Sequence, residues 1–422
     1  MLGNRPTVID LFAGCGGLSQ GLELAGFHPV FVNELNRDAL ESYILNREGE
    51  APLLRDDRFH CNDVKELVTK RGRAAKLIAD LREAYGLRIE DGDLDLLVGG
   101  PPCQGFSGIG HRRSYSVEKE QLPSNHLYQD MAWLVNKLQP KIFLFENVRG
   151  LLNAKWTKDG KNGEIWDDVQ ESFRSLRGYT VNAELVYAKD YGVAQNRPRV
   201  LLVGVRNDVS RSAWTSSGNT IAAGYLPTPT SRGPDLIDLL GDLIDPEYKN
   251  GLSATTQYPS APKNALQKEF RTGPDGKIRR KGADVHEHEY SKHSPRVLAK
   301  FEFMLKNEGK IHERFKTKKF AQRLLPSRWG DDGPSITATS LPDDYVHFSQ
   351  PRILTVREWA RIQGFPDWYR FAGSRTTGGL RRAGNPREGN FNRELPKYTQ
   401  IGNAVPIPLA RAVGLHFRKV LG

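Results

Sequence analysis

Cys103 stands in the run Gly99-Gly100-Pro101-Pro102-Cys103-Gln104-Gly105-Phe106-Ser107. Residues 93–98 (DLDLLV) read as a short apolar strand stopped by two glycines and two prolines, which predicts the thiol on a turn just past a strand end, exposed enough to react. Cys15 and Cys61 complete a set of three cysteines in 422 residues, with no disulfide framework and no zinc-ligand spacing. Free-thiol chemistry is therefore expected, without a metal. A second feature is the turn Ala13-Gly14-Cys15-Gly16-Gly17, between a β-branched run (residues 7–12) and a helix with Leu18, Leu22 and Ala25 on one face, closed by Gly26. Such a turn lets a ligand lie against the backbone and the helix N-terminus, although a purely structural turn has the same composition. Glu34 ends a second strand, residues 29–35, about 20 residues further on, where an acidic side chain in a nucleotide-type fold accepts bonds from ribose hydroxyls.

The elements that must position these residues alternate. After the second strand come a helix (38–47), a segment (59–64) whose Asp63 closes a third strand, an amphipathic helix (64–85) and the strand leading to Cys103. That alternation indicates an α/β class, a doubly wound parallel sheet with ligands at the carboxyl ends of the strands. Residues 108–125 are polar, basic and aperiodic, the pattern of a lid beside a reactive residue or of a solvated connection. A helix (127–138) and a strand (141–145) ending in Glu146-Asn147-Val148 follow. Strands at 180–187 and 199–205 then flank DYGVAQNRPR, residues 190–199. Beyond Arg206 the periodic patterns weaken, and residues 226–234 (LPTPTSRGP) read as a linker. Thr355 is a plausible N-cap for a helix ending at Gly364. A Gly/Arg-rich insertion, residues 372–397, leads to a last helix whose first turn carries Pro406 and Pro408 and whose apolar side is Leu409, Val413 and Phe417.

The chain carries a formal charge of +11, with 38% hydrophobic and 26% charged residues. Between residues 263 and 328 there are 18 Lys or Arg against 8 Asp or Glu, so 18 − 8 = +10 of the excess lies there. His286, His288, Tyr290, His293, His312 and Trp329 are interleaved with that charge, a footprint for nucleic acid that a solvated basic face would share. No apolar run of 18 or more residues is present, and residues 1–12 lack the layout of a secretory signal. A cytosolic protein without a membrane partner is expected.

The ordered blocks DLFAGCGGLSQGLELAGF, Glu34, Asp63-Val64, GGPPCQGFS, ENVRGL, QNRPR, RE…RIQGFP and QIGNAVP span residues 7–206 and 353–414. Together they resemble the DNA (cytosine-5) methyltransferase family of the bacterial modification type. The resemblance implies a Rossmann-like S-adenosylmethionine-dependent methyltransferase fold with a mostly parallel sheet. Residues 1–206 would be the first part of the catalytic domain, 207–352 a smaller target-recognition domain, and 353–422 a return segment whose last helix packs beside the first strand.

The roles that follow are also those of the family. Cys103 thiolate would add to C6 of a cytosine flipped from duplex DNA, activating C5 to take the methyl of S-adenosyl-L-methionine, with S-adenosyl-L-homocysteine as product. Glu146 would bond the N3 and 4-amino edge. Arg197 and Arg199, two apart on a strand and so pointing the same way, would hold the base carbonyl and the catalytic groups. Phe12, Gly14, Gly16, Glu34, Asp63, Val64, Pro102, Leu127, Asn403 and Val405 would form the cofactor pocket, with Cys15 a small residue of its turn and Cys61 an ordinary buried thiol. Ser107, His111, Arg112 and Arg113 would close over the site against DNA phosphate, and Lys277, Arg279, Arg280 and Lys281 would add backbone contacts.

A monomer acting on double-stranded DNA is expected, with a separately acting restriction endonuclease as partner. The same motifs also occur in the family's RNA-directed relative, and a non-catalytic DNA-binding regulator could keep the fold. Two departures from the family stand out. The 372–397 insertion is long, and Ser124-Asn125-His126 lacks an arginine that many relatives have near there.

Overall fold

The computed structural model describes residues 3–102, 123–209, 224–248, 257–316, 322–328, 344–376 and 394–422. Strands β1 (Thr7–Leu11) and β2 (His28–Asn33) are buried along their whole length. This suits their apolar composition and a place inside a sheet covered on both faces. Helix α1 (Gly17–Leu24) connects them. Helix α2 (Arg37–Leu45) begins at Asn36, whose side chain accepts the Ala39 N–H. Then come β3 (His60–Cys61), α3 (Lys65–Thr69), α4 (Arg73–Tyr85), β4 (Leu96–Gly99), α5 (Leu127–Leu138), β5 (Ile142–Val148), α6 (Glu164–Arg174), β6 (Tyr179–Tyr187) and β7 (Pro198–Arg206).

The single helix expected over 64–85 is thus two. Lys70 turns extended and Gly72 adopts φ 82°, a conformation open to glycine, so the helical ladder stops and restarts.

The seven strands form one sheet in the order β3-β2-β1-β4-β5-β7-β6. The first five run parallel, and β7 is inserted antiparallel between β5 and β6. Side-chain alternation then divides the core. Ile9, Leu11, Phe31 and Phe143 face α2, α4, α5 and α6, while Val8, Val98, Leu144 and Val203 face α1 and the last helix. The fold is the mostly parallel, doubly wound α/β class expected. Residues 226–234 differ from the expected linker. Gly192 N–H bonds Ser231 O, Tyr191 Oη donates to Pro227 O, and Leu226 is buried, so the stretch docks on the sheet instead of swinging free.

A second core is built from α7 (Leu236–Leu240), α8 (Ala265–Arg271), α10 (Val356–Ile362) and α11 (Lys397–Asn403). Leu236, Leu239, Leu240 and Phe270 pack there with Trp359, Phe365 and Tyr398, so this packing runs across residue 352. Helix α9 (Pro295–Lys306) and the pair β8 (Arg323–Leu324) and β9 (Tyr345–Val346) lie beside it. Thr355 caps α10 in a reciprocal box with Glu358. Several buried charges of this core are met by opposite charges: Arg361 reaches Asp242 and Asp367, both at 2.6 Å, and Arg271 reaches Asp242 at 2.7 Å. Removing one member would leave a buried charge uncompensated.

His288 and Tyr290 belong to this interior and not to a nucleic-acid face. His288 lies between the Thr355 hydroxyl and Leu243 O, and both side chains are buried. Trp329 lies outside the described residues.

The final helix, α12 (Ile407–Leu421), returns to the first unit and buries Leu409, Val413 and Phe417 on the α1 side of the sheet. Small residues allow close approach. A Cβ on Gly21 would sit 2.4 Å from Ala410 Cβ, and one on Gly414 would sit 2.7 Å from Ala25 Cβ. Among the described residues no helix is long and apolar enough to cross a membrane.

Candidate functional site

The parallel strands deliver their carboxyl ends to one edge of the sheet. Leu11 pairs with Asn33 and with Gly99, and Gly99 pairs with Phe145. Because β7 is antiparallel, its beginning lies there too, with Arg199 opposite Val148. Phe12, Glu34, residues 100–102, Glu146 and Arg199 therefore meet around one opening.

On the β1–β2 side the backbone is forced into a cradle. Phe12 takes φ 56°, uncommon for a residue with a side chain, followed by Gly14 at 57° and Gly16 at 87°. Buried Asn33 ties the strand ends together, accepting from Phe12 N–H (3.3 Å) and donating to Cys61 O (3.1 Å) and Asn62 O (2.8 Å). Glu34 accepts from Gly14 N–H at 2.9 Å and Asn36 N–H at 2.8 Å. Burial pushes its carboxyl upward, and those two bonds oppose the shift. Nothing lies within 4 Å of a Cβ built on Gly14, whereas one on Gly16 would strike Arg47, Tyr369 and Tyr43. The turn thus has an open side at Gly14 and a packed side at Gly16.

Leu35, 71% exposed, stands beside Glu34.

The remaining pocket candidates differ in setting. Asp63 is exposed and accepts from Lys65 N–H, while Val64 is buried in the first core. Pro102 and Asn403 are exposed, and Leu127 and Val405 are half-buried. Cys15 and Cys61 are buried, and burial pushes each thiol up to about 12, away from the thiolate form that nucleophilic chemistry needs.

On the β4–β5 side, Glu146 Oε1 lies 2.5 Å from Arg199 Nε, both side chains nearly buried. A Cβ on Gly100 would be 2.9 Å from Glu146 Oε2, so this carboxylate borders the backbone that leads to Cys103. Asn147 Nδ2 donates to Pro101 O at 3.2 Å and holds that backbone from the next position. Cys103 itself, with Ser107, His111, Arg112 and Arg113, lies outside the described residues.

The two arginines are held by different partners, although Arg197 also lies within electrostatic reach of Arg199 and Glu146. Arg199 faces Glu146, while buried Arg197 donates to Gly402 O (2.7 Å) and Ala404 O (3.0 Å). Burial, reinforced by Arg199, disfavours the charge on Arg197, and the Glu146 carboxylate opposes that shift. Arg197 holds the C-terminal segment to the site edge, as does Gln195 through Gln363 Oε1.

Away from this edge, Lys277, Arg280 and Lys281 are exposed near a hairpin in which Thr272 bridges Ile278. Arg279 is half-buried and paired with Asp275 at 3.1 Å. Among the described residues no group of three or more His, Cys, Asp or Glu could hold a metal ion.

A family model for C-5 cytosine-specific DNA methylases matches residues 6–419. The chain is 31% identical to Type II methyltransferase M.DdeI of Desulfomicrobium norvegicum, over 96% of this chain and 87% of that protein. It is 30% identical to Type II methyltransferase M.XorII of Xanthomonas oryzae pv. oryzae, over 99% of this chain and 85% of that protein. Among solved structures it resembles a prophage-encoded E. coli protein assigned as a DNA modification methyltransferase. The TM-score is 0.65 and the identity 22%, with 99% of each chain covered, a likeness of fold.

Proposed function

The chain belongs to the C-5 cytosine-specific DNA methylase family, and from that premise we propose how its residues divide the work of methylating cytosine in duplex DNA. The observation that carries the proposal is the Glu146–Arg199 pair, nearly buried at the sheet edge and bordering the Gly100 backbone. A carboxylate held there against a fixed cation is suited to grip the N3 and 4-amino edge of a flipped cytosine. Cys103, three residues beyond Gly100, is read as the nucleophile that adds to C6 and leaves by elimination after the C5 proton is removed.

Residues 12–16 and Glu34 fit S-adenosylmethionine. The open side at Gly14 admits a ligand against the backbone, and Glu34, already oriented by two N–H groups, keeps lone pairs for ribose hydroxyls. When bound, the cofactor supplies an electrophilic methyl group on its sulfonium. Asp63, Val64, Pro102, Leu127, Asn403 and Val405 are assigned to the rest of its pocket. Arg197, buried and coupled to Arg199 and Glu146, is assigned with Arg199 to holding the base carbonyl and the catalytic groups in place.

Residues 207–352 are read as the target-recognition unit and 353–422 as the segment that completes the catalytic unit. Ser107, Arg112 and Arg113 are assigned to the closing loop. The chain is read as a monomer and as the modification half of a restriction–modification pair, the second reading being the one that the Type II methyltransferases it resembles support.

The test is transfer of labelled methyl from S-adenosylmethionine to duplex DNA and to transfer RNA, with covalent trapping on duplex DNA containing 5-fluorocytosine. Transfer to DNA and a trapped complex lost in Cys103→Ser are expected. Labelling of RNA alone, or no trapped complex with the wild type, would overturn the proposal.

A further inference from the structure

The packed side of the cofactor turn is held by residues far away in sequence. Buried Tyr369 donates its hydroxyl to Cys15 O at 2.6 Å, and buried Arg47 donates to Gly16 O at 3.3 Å. The two also meet each other, Arg47 Nη1 to Tyr369 Oη at 3.1 Å. Arg47 is itself fixed by Tyr43 O (2.7 Å) and Glu23 Oε1 (2.8 Å). These side chains fill the space a Cβ on Gly16 would need. Two successive carbonyls of a turn with three positive φ angles are thereby tied back into the protein. Because a peptide is planar and trans, fixing a carbonyl also fixes the N–H on its other edge.

From this geometry we infer that Tyr369 and Arg47 are positioning residues for cofactor binding, setting the shape of the turn from behind without touching the cofactor. The inference rests on the reading of residues 12–16 as the S-adenosylmethionine cradle. Without the hydroxyl, Cys15 O loses its buried donor and the unfavourable φ values lose a support, so the turn samples other shapes and binding weakens. Groups at the Glu146 side are unaffected, so the rate at saturating cofactor is preserved.

Tyr398 provides a matched comparison. It too is a buried tyrosine of the second core, and its hydroxyl donates to a carbonyl that does not belong to the turn, Leu354 O at 2.6 Å. The experiment titrates S-adenosylhomocysteine calorimetrically into wild type, Tyr369→Phe, Tyr398→Phe and Arg47→Lys, with thermal unfolding and steady-state methylation of duplex DNA on the same samples. Tyr369→Phe is expected to raise Kd, and KM for S-adenosylmethionine, by roughly 5- to 20-fold, the worth of a buried hydrogen bond, with kcat and DNA Kd within twofold. Arg47→Lys is expected to move in the same direction. Tyr398→Phe is expected to lower Tm comparably and leave Kd unchanged.

Equal effects of the two Phe variants on Kd, or no effect of Tyr369→Phe, would overturn the inference and reduce Tyr369 to a core residue. If wild type itself fails to bind S-adenosylhomocysteine, the cradle reading fails first and the inference with it.

Discussion

At the scale of single residues, neighbours in sequence have different partners. QNRPR offers no sign that Arg197, besides its coupling to Arg199 and Glu146, also holds the carbonyls of Gly402 and Ala404. Arg199→Lys is expected to lower methyl transfer with little change in Tm. Arg197→Met should instead destabilise the fold by about 1–3 kcal/mol, because two buried carbonyls lose their donor; equal Tm for the two variants would contradict this division. Glu146→Gln should reduce transfer by roughly 10²- to 10⁴-fold with DNA affinity retained in a gel-shift titration. Asp10 escaped notice within DLFAG. It is buried beneath the turn, accepts from Ser19 Oγ at 2.6 Å, and burial pushes its carboxyl up to about 7. A raised native value means that the native state holds a proton which the unfolded chain has released. Its contribution is full below the ordinary carboxylate range and is lost as pH rises through about 7. Asp10→Asn removes that loss, so relative to wild type it should gain roughly 2–3 kcal/mol in urea unfolding between pH 5 and pH 8. A difference that stays flat across that range would contradict the assignment.

At the scale of elements, the strand ends were legible because glycine turns and acidic residues follow apolar runs, and the doubly wound order follows from alternation. What was hidden depends on distant partners. His288 and Tyr290 read as part of a basic surface because their burial is made by Leu243 and Thr355 from other segments. Likewise, the docking of 226–234 depends on Asp190 to Gly192 receiving it. Burial holds the His288 imidazole down at about 4 and that of His347 at about 3, while Glu358 stays charged against Arg352. Here the unfolded chain binds the extra protons, so this stability is full above pH 6.5 and is lost as pH falls toward 4. Each histidine should remove about 2 kcal/mol by pH 5. Hydrogen exchange should therefore show α10 losing protection on acidification before β1 and β2, and the reverse order would refute it. At the α1–α12 contact, Gly21→Ala should lower stability by about 1–3 kcal/mol through overpacking against Ala410, read as a fall in Tm.

At the scale of the molecule, charge and connectivity dominate. The positive excess within residues 263–328 was visible as a count, but not its distribution: Lys277, Arg280 and Lys281 are exposed, while Arg279 is engaged by Asp275 and Arg271 by Asp242. Neutralising the three exposed residues to Gln should flatten the slope of log affinity for duplex DNA against log salt by up to about 2.7, at about 0.9 per phosphate contact. The same change at Arg279 should do less, and an unchanged slope for the triple variant would remove this hairpin from the interface. The return of α12 to α1 has a consequence for how the protein is made. Gly21 and Ala410 touch across about 390 residues, so on the ribosome α1 waits on the order of 20–80 s for its partner at ordinary rates of synthesis. Until then Leu18, Leu22 and Ala25 lack the α12 residues they pack against. Nascent chains stalled before residue 407 should accordingly be cut by protease within residues 1–206, whereas the released protein resists. An enzyme built this way cannot close its α1–α12 contact until residues 407–421 have left the ribosome, which makes that contact a late event of its synthesis.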